Sequence, residues 1–499
     1  MIFMFNTSDD KQRLLSHFQQ HSADDYFNKH YGARMMPIFV QAYVAVMCST
    51  RQSPFAMTHG MFFQNFTMDR EFDWLWKVTE MKEMRQRLFA ALENDSEFGK
   101  KFFAGYLQAF EKFDTAAKHE EQIPYQTLSP EVLLRRMLAL IEAASHQGHG
   151  YVVDSLLTTE GDDWFGEYAA KYLGRTLSDD ELSTLREPTH RSFVNQYRLR
   201  LLEAACAREN GENIESLVAK IVREYYWVEN NYIKTDPKKR EHILSEIDAM
   251  ENSRGTFERE KKRIDMTIEH KEILYHALHA PSLLRAFVQF ADDATTIQDH
   301  RKQVVLRLNH FLLLYLREIA KKIGFDEELI FYVMFFELED FLKDPARFVD
   351  IAKERQKGCL ALFDKDGCAI VTRQEIADAG IDVSHFFVVA FGITELRGAA
   401  ASPGHAKGIA RVILGSDQFA RFHEGDILIT NQTTPDFVPL MKRAGAVVAE
   451  QGGVTSHAAI VSRELGIPCI VGVKDAMRVF RDGENVEVDA VKGVVRKLK

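Results

Sequence analysis

Cysteine is scarce in this chain and never clustered. Cys48, Cys206, Cys359, Cys368 and Cys469 are the only five among 499 residues. Their odd number and wide spacing argue against a disulfide framework or a cysteine zinc site and fit a reducing cytosol. The N-terminus has no basic segment followed by an apolar core, so no secretory signal is expected. Long apolar runs are missing too: the most apolar stretch, residues 35–48, is interrupted by Gln41 and is too short to span a bilayer. There is no excess of positive charge. A formal net charge of −10 and a pI near 6.0 argue against general nucleic-acid binding. The front of the chain shows no Walker loop, no glycine-rich phosphate loop and no internal repeat. A soluble cytoplasmic protein is expected, with no nucleic acid and no membrane as partner.

What is present divides in two. With 46% hydrophobic residues, the chain can bury large cores in two to four domains. Nearly half of its 28 glycines fall after Gly392, whereas the stretch before is rich in Phe, Leu, Lys and Glu. That contrast predicts a helical front and an α/β back. Residues 72–92, 97–113, 129–145 and 180–208 carry apolar side chains at three- and four-residue spacing, the mark of amphipathic helices. Residues 299–323 read as a long helix ended by Gly324. Arg301 and Arg307 on it read as a charged exterior rather than a phosphate contact. Residues 360–363 and 369–372, around Asp364-Lys365-Asp366-Gly367, read as a β-hairpin.

Two places in the front half hold residues able to do chemistry. Arg223, Tyr226, Trp227 and Asn230 interleave rings with charge and amide and could line a pocket for a small organic acceptor. An aromatic helix packed on its neighbours is the competing reading. Glu272, His276 and His279 share one helix face, yet no Glu follows the first His as a metalloprotease helix requires, and no metal site is expected.

The strongest local signal lies near the end. Ala446-Val447-Val448-Ala449 reads as a buried strand, and residues 458–465 as a helix stopped by Gly466 and Pro468. Between them stand Gly452, Gly453, Val454, Thr455, Ser456 and His457. Paired glycines permit a sharp turn and a close approach by a ligand. Thr455 or Ser456 can cap the helix. His457 then sits in the first turn, beside free backbone N–H groups and the positive end of the helix dipole, where a phosphoryl group is at home. A neutral imidazole there is a nucleophile that can take phosphate and pass it on. Its attack requires the uncharged ring, so transfer is expected to weaken below about pH 6.

The run from Gly452 to Pro468, including Thr455-Ser456-His457-Ala458-Ala459-Ile460 and Arg463-Glu464-Leu465-Gly466-Ile467-Pro468, resembles the phosphohistidine motif of the PEP-utilising enzymes. That family includes PEP synthase, pyruvate phosphate dikinase, enzyme I of the sugar phosphotransferase system and rifampin phosphotransferase. The resemblance extends over residues 396–498, with Thr433-Thr434-Pro435-Asp436 similar to a second family stretch, and loosely over 299–340. It implies that His457 is the covalent carrier, with Thr455 and Ser456 orienting the ring or bonding phosphate. Gly452 and Gly453 would admit the phosphate, and Arg463 would be its cationic partner. Mg²⁺ is implied with ATP or PEP. The family's ATP-grasp and PEP-barrel domains have no counterpart in these residues.

The expected class is multidomain α plus α/β. An all-helical region is expected over 1–290, a helical linker over 291–357, a hairpin connector over 358–395 and a β/β/α swivelling phosphohistidine domain over 396–499. The expected function is a phosphotransferase component working with a separate ATP-grasp subunit, or with PEP, toward a small-molecule acceptor. A non-catalytic interaction protein and a rifampin-type antibiotic phosphotransferase fragment are the alternatives.

Overall fold

The computed structural model describes residues 11–12, 14–15, 26–32, 35–48, 59–64, 71–157, 164–232, 235–250, 252–364, 368–380, 394–433, 437–451 and 456–498. A large helical region precedes a mixed β-sheet domain, as the class expected from the sequence requires. The principal helices of the front are α1 (Phe98–Glu120), α2 (Pro130–Ser145), α3 (Phe193–Glu209), α4 (Glu215–Tyr225), α5 (Ser253–Ala277) and α6 (Ser282–Ile323). Local chemistry sets their ends. Ser129 accepts from Val132 N ahead of Pro130 at the start of α2, and Ser192 accepts from Asn195 N at the start of α3. Gly324, at φ 71°, stops α6 in the left-handed conformation that glycine adopts without strain.

The front is built around α6. Its 42 residues run for about 63 Å. Every residue from Arg307 to Leu313 is buried, so this part has no solvent face and passes through the core between α1 and α2. That placement corrects the expected charged exterior. Arg301 and Arg307 are buried, the first against Asp154 and the second against Asp114 (2.6 Å) and Glu121 (3.0 Å). Charges this deep persist because each has a carboxylate partner. The boundary expected between 290 and 291 falls inside α6, because Leu284, Phe287, Phe290, Ala294 and Ile297 continue one buried stripe with no Gly or Pro to break it.

The front is not helical throughout. Five strands, β1 (Tyr26–Gly32), β2 (His59–Gln64), β3 (Glu71–Lys77), β4 (Cys359–Asp364) and β5 (Cys368–Thr372), form an antiparallel sheet in the order β1-β3-β2-β4-β5. The expected helix at 72–92 therefore begins as a strand. Phe72, Trp74 and Trp76 alternate with Asp73 and Leu75, and the helix starts only at Val78. The expected hairpin is β4–β5, and its turn at 365–367 lies outside the described residues. It is more than a connector: β4 pairs with β2, and Cys359, Ala361, Phe363 and Ile370 share the core of α6.

The C-terminal domain holds β6 (Glu395–Arg397), β7 (Ala399–Ser402), β8 (His405–Val412), β9 (Ile427–Thr430), β10 (Ala446–Ala449), β11 (Cys469–Val471), β12 (Asn485–Asp489) and β13 (Val494–Lys497). Their order is β6-β13-β12-β8-β9-β10-β11-β7, with β8 to β11 mutually parallel. The end strands β6 and β7 are consecutive in the chain, joined by Gly398, whose amide donates to Gly493 O (2.9 Å). A Cβ at 398 would lie 2.5 Å from Val471 O, so only glycine fits this junction. The central strands are buried on both faces: Leu428, Val447 and Val471 point to one core, and Ile427, Ile429, Val448 and Ile470 to the other. The central strands consequently read as continuous apolar runs.

Candidate functional site

The site lies at the carboxyl edge of the parallel strands, where open α/β sheets bind their ligands. β9 and β10 end side by side there, with Ala449 opposite Thr430. Beyond the strands the pairing continues for two residues, from Glu450 N to Thr430 O (3.0 Å) and from Gln451 N to Asn431 O (2.8 Å). Gly452, Gly453 and Thr455 then lie outside the described residues, as do Thr434, Pro435 and Asp436. The chain resumes at Ser456, the N-cap of α7 (His457–Leu465), which ends in the left-handed Gly466 at φ 68°. Ser456 Oγ accepts from Ala459 N (3.4 Å), so its hydroxyl serves the helix start as expected from the sequence. Ala458, Ala459 and Ser462 form the buried face of α7. Beneath it, the Cys469 thiol contacts the Ala458 carbonyl (3.8 Å), and burial pushes that thiol up to about 11, which keeps it protonated.

His457 is the first residue of α7 and is half-buried. Its Nδ1 lies 2.8 Å from Thr433 Oγ1, on the loop that follows β9. Thr433 is buried. The sequence reading left Thr433 out of the site, although the strand pair β9–β10 carries both loops to one edge. That contact sets the two ring nitrogens in different surroundings, with Nδ1 facing the Thr433 hydroxyl. In the tautomer that carries its proton on Nδ1, Nδ1–H donates to Thr433 Oγ1 and the lone pair is on Nε2; in the other, the Thr433 hydroxyl donates to Nδ1.

Arg463, expected as a cationic partner, is exposed and donates from Nη1 to Ala401 O (3.2 Å), a contact that ties α7 to β7. The four aromatic-segment residues are spread over separate partners. Arg223 is exposed at the end of α4. The Tyr226 hydroxyl donates to Glu121 Oε1 (3.0 Å). Trp227 is buried against Phe193, with ring centroids 5.2 Å apart. Asn230 is buried, and its Oδ1 accepts from Thr235 Oγ1 (3.1 Å) and Asp236 N (3.0 Å). Glu272 pairs with Arg285 (2.9 Å), while His276 and His279 are exposed. Among the described residues, no group of three or more His, Cys, Asp or Glu converges to hold a metal ion. The described residues do not make a site for the Mg²⁺ that the resemblance implies. No helix among the described residues is long and apolar enough to cross a membrane.

Parts of this chain are similar to known proteins. A probable phosphoenolpyruvate synthase of Archaeoglobus fulgidus is 50% identical over 123 residues, which are 25% of this chain and 16% of that protein. The phosphoenolpyruvate synthase of Pyrococcus furiosus is 38% identical over 180 residues, 36% of this chain and 21% of that protein. The chain therefore spans about a fifth of the length of these curated relatives. A solution structure of Enzyme I aligns over 66% of this chain and 79% of its own, at 13% identity and a TM-score of 0.17, too low to support an argument about architecture. Residues 422–493 match the family described as PEP-utilising enzyme, mobile domain, and the C-terminal domain of this chain is a mobile domain of that kind.

Proposed function

We propose that the chain is a phosphotransferase component that carries a phosphoryl group on His457 Nε2. The donor is ATP held by a separate ATP-grasp subunit, or PEP, and the acceptor is a small molecule. In the first step the Nε2 lone pair attacks phosphorus, and the donor's P–O bond breaks with its electrons leaving on the donor oxygen. In the second step an acceptor oxygen attacks phosphorus. The P–N bond then breaks, its electrons return to Nε2 and the acceptor proton passes to solvent. Positive charge builds on the ring as the P–N bond forms, so Nδ1–H becomes a stronger donor to Thr433 Oγ1. The contact therefore tightens where it helps most, in the transition state. The start of α7 turns backbone N–H groups and the positive end of its dipole toward the phosphoryl oxygens.

The observation that carries this reading is the His457–Thr433 contact at the head of α7, which holds the ring at the helix N-terminus with Nδ1 toward the Thr433 hydroxyl. The test is labelling. The full chain is incubated with labelled PEP, or with labelled ATP and a candidate ATP-grasp partner. Acid-labile, base-stable label that disappears in His457→Ala is the expected result. No label from any donor, with the partner present, would favour a binding module without transfer.

A further inference from the structure

A surface cavity of about 400 Å³ opens in the helical region, between the segment that precedes α3 and the first turns of that helix. The size suits a small organic molecule. Leu199, Ile264 of α5 and the Tyr225 ring give it apolar walls, and His190 and Gln196 add polar groups.

His190 is placed as an acid–base group is placed. Its Nδ1 is shut off from solvent, has no hydrogen bond among the described residues and faces Asp292 Oδ1 at 3.6 Å. Asp292 also accepts from Thr189 N (3.1 Å) and from the Thr189 hydroxyl. Although burial opposes it, His190 and Thr189 hold the Asp292 carboxyl below the usual carboxylate range, so it is ionised. A lone pair on Nδ1 would repel that carboxylate. The neutral ring therefore carries its proton on Nδ1 and its lone pair on Nε2. The side chain is 23% exposed, and with Nδ1 turned inward the exposed part is the opposite side of the ring, which holds Nε2. Contacts with bound substrate are what draw such a loose histidine–carboxylate pair together. Gln196 Nε2 donates to Arg191 O (2.9 Å), which leaves its Oε1 as a second acceptor. Asp293 and Asp299 act on His190 through space as well. Three carboxylates this near favour a ligand that offers a hydrogen over one that brings negative charge.

We infer that this cavity is the acceptor site: it binds a small alcohol with an apolar body, whose hydroxyl donates to His190 Nε2. The catalytic part of the inference rests on the phosphohistidine reading above. The acceptor O–H bond breaks and its proton goes to His190 Nε2, while the oxygen forms the new O–P bond. The P–N bond to His457 breaks and its electrons return to His457 Nε2. His190, with Asp292 facing the imidazolium, then releases the proton to solvent.

Two arms test it on the full chain. Calorimetric titration with benzyl alcohol, benzyl methyl ether and benzoate reads the cavity without phosphate. Saturable binding of the alcohol is expected, about fivefold tighter than the ether, which lacks the donor; benzoate should bind more weakly still. His190→Phe, which keeps a flat ring, should reduce the alcohol to the affinity of the ether, and Leu199→Trp should block both by filling the cavity. In the second arm His457 is labelled with phosphoramidate and benzyl alcohol is added. Label should pass to benzyl phosphate, about a hundredfold more slowly in His190→Phe. The inference is overturned by ether or benzoate binding as well as the alcohol, by no binding of the alcohol at about 10 mM, by affinity that survives both substitutions, or by discharge that His190→Phe leaves unchanged. Failure to label His457 sinks the transfer reading instead, and the titrations then decide by themselves whether the cavity takes a hydroxyl.

Discussion

Replacing Thr433 by valine keeps the shape of the side chain and removes the oxygen that faces His457 Nδ1 at 2.8 Å. Two quantities should separate. Stability should fall by only about 1 kcal/mol, the net worth of one hydrogen bond. Transfer should fall further, because Nδ1–H is then a charged donor in the transition state, and bonds to charged groups are worth about 1.5–3 kcal/mol. At about 1.4 kcal/mol per factor of ten, that is a ten- to hundredfold loss in the phosphorylation rate. Phosphoramidate, a small chemical donor, removes dependence on any partner. The wild type should be phosphorylated at Nε2 of His457, identified by NMR of the ring and by its loss in His457→Ala. In Thr433→Val the Nδ1 isomer should appear as well, because that nitrogen is no longer occupied. Thr433→Ser, which restores a hydroxyl, should restore both rate and isomer. A valine variant that forms only the Nε2 isomer at the wild-type rate would refute the reasoning, as would a serine variant that fails to recover either.

Three further outcomes follow from the packing. Glu337→Ala should cost about 3–5 kcal/mol, since it strips both carboxylate bonds (2.7 Å each) from the buried Arg355 guanidinium and leaves it the Tyr332 carbonyl (2.9 Å); denaturant midpoints measure this. Gly398→Ala should destabilise the C-terminal domain by about 1–3 kcal/mol or more, because the new methyl would meet Val471 O at 2.5 Å and Val473 Cγ2 at 2.6 Å; hydrogen exchange should rise in the mobile domain and not in α6. Asp293 carries a pH signature. Burial, with Asp292 adding to it, pushes its carboxyl up from 3.8 to about 6, although Gln289 donates to it (2.9 Å). The folded form therefore keeps a proton that the unfolded chain releases. The cost is absent below about pH 4, grows between about 4 and 6, and reaches at most about 3 kcal/mol above that. Asp293→Asn should accordingly raise the melting temperature at pH 7.5 and leave it unchanged near pH 4, and equal shifts at the two pH values would count against the assignment.

Elements set by neighbours in the sequence were legible, and those set by distant partners were not. The start and stop of α7 follow from a serine cap and a left-handed glycine within ten residues of His457, and both could be read directly. The same holds for β10, whose burial on two faces leaves an unbroken apolar run. The long helix was visible only from residue 299, because its earlier turns carry Asp292, Asp293 and Gln289, which look like a break in pattern. Asp292 faces a polar partner from another segment, Thr189, while Gln289 and Asp293 bond each other along the helix, and no local periodicity reports either. Arg301 and Arg307 were misread for the same reason: helical spacing tells which residues share a face, not whether solvent or a carboxylate from another segment covers it. The five-stranded sheet hid because β2 and β4 lie about three hundred residues apart, yet pair Phe62 with Ala361.

Thr433 sits between these extremes. Nothing at residues 452–457 names it, since it is 24 residues away. Two adjacent apolar runs, 427–430 and 446–449, joined through a short helix, nevertheless imply parallel strands that end at one edge. A hydroxyl three residues past the first run must then stand near a histidine that opens the helix after the second. The chemistry of the site thus divides along the same line as its legibility. The proposed nucleophile and its helix are local features. The contact between Thr433 and Nδ1, on which the proposed choice of nitrogen depends, belongs to strand pairing, and a change in the β9–β10 register would remove it without touching the motif.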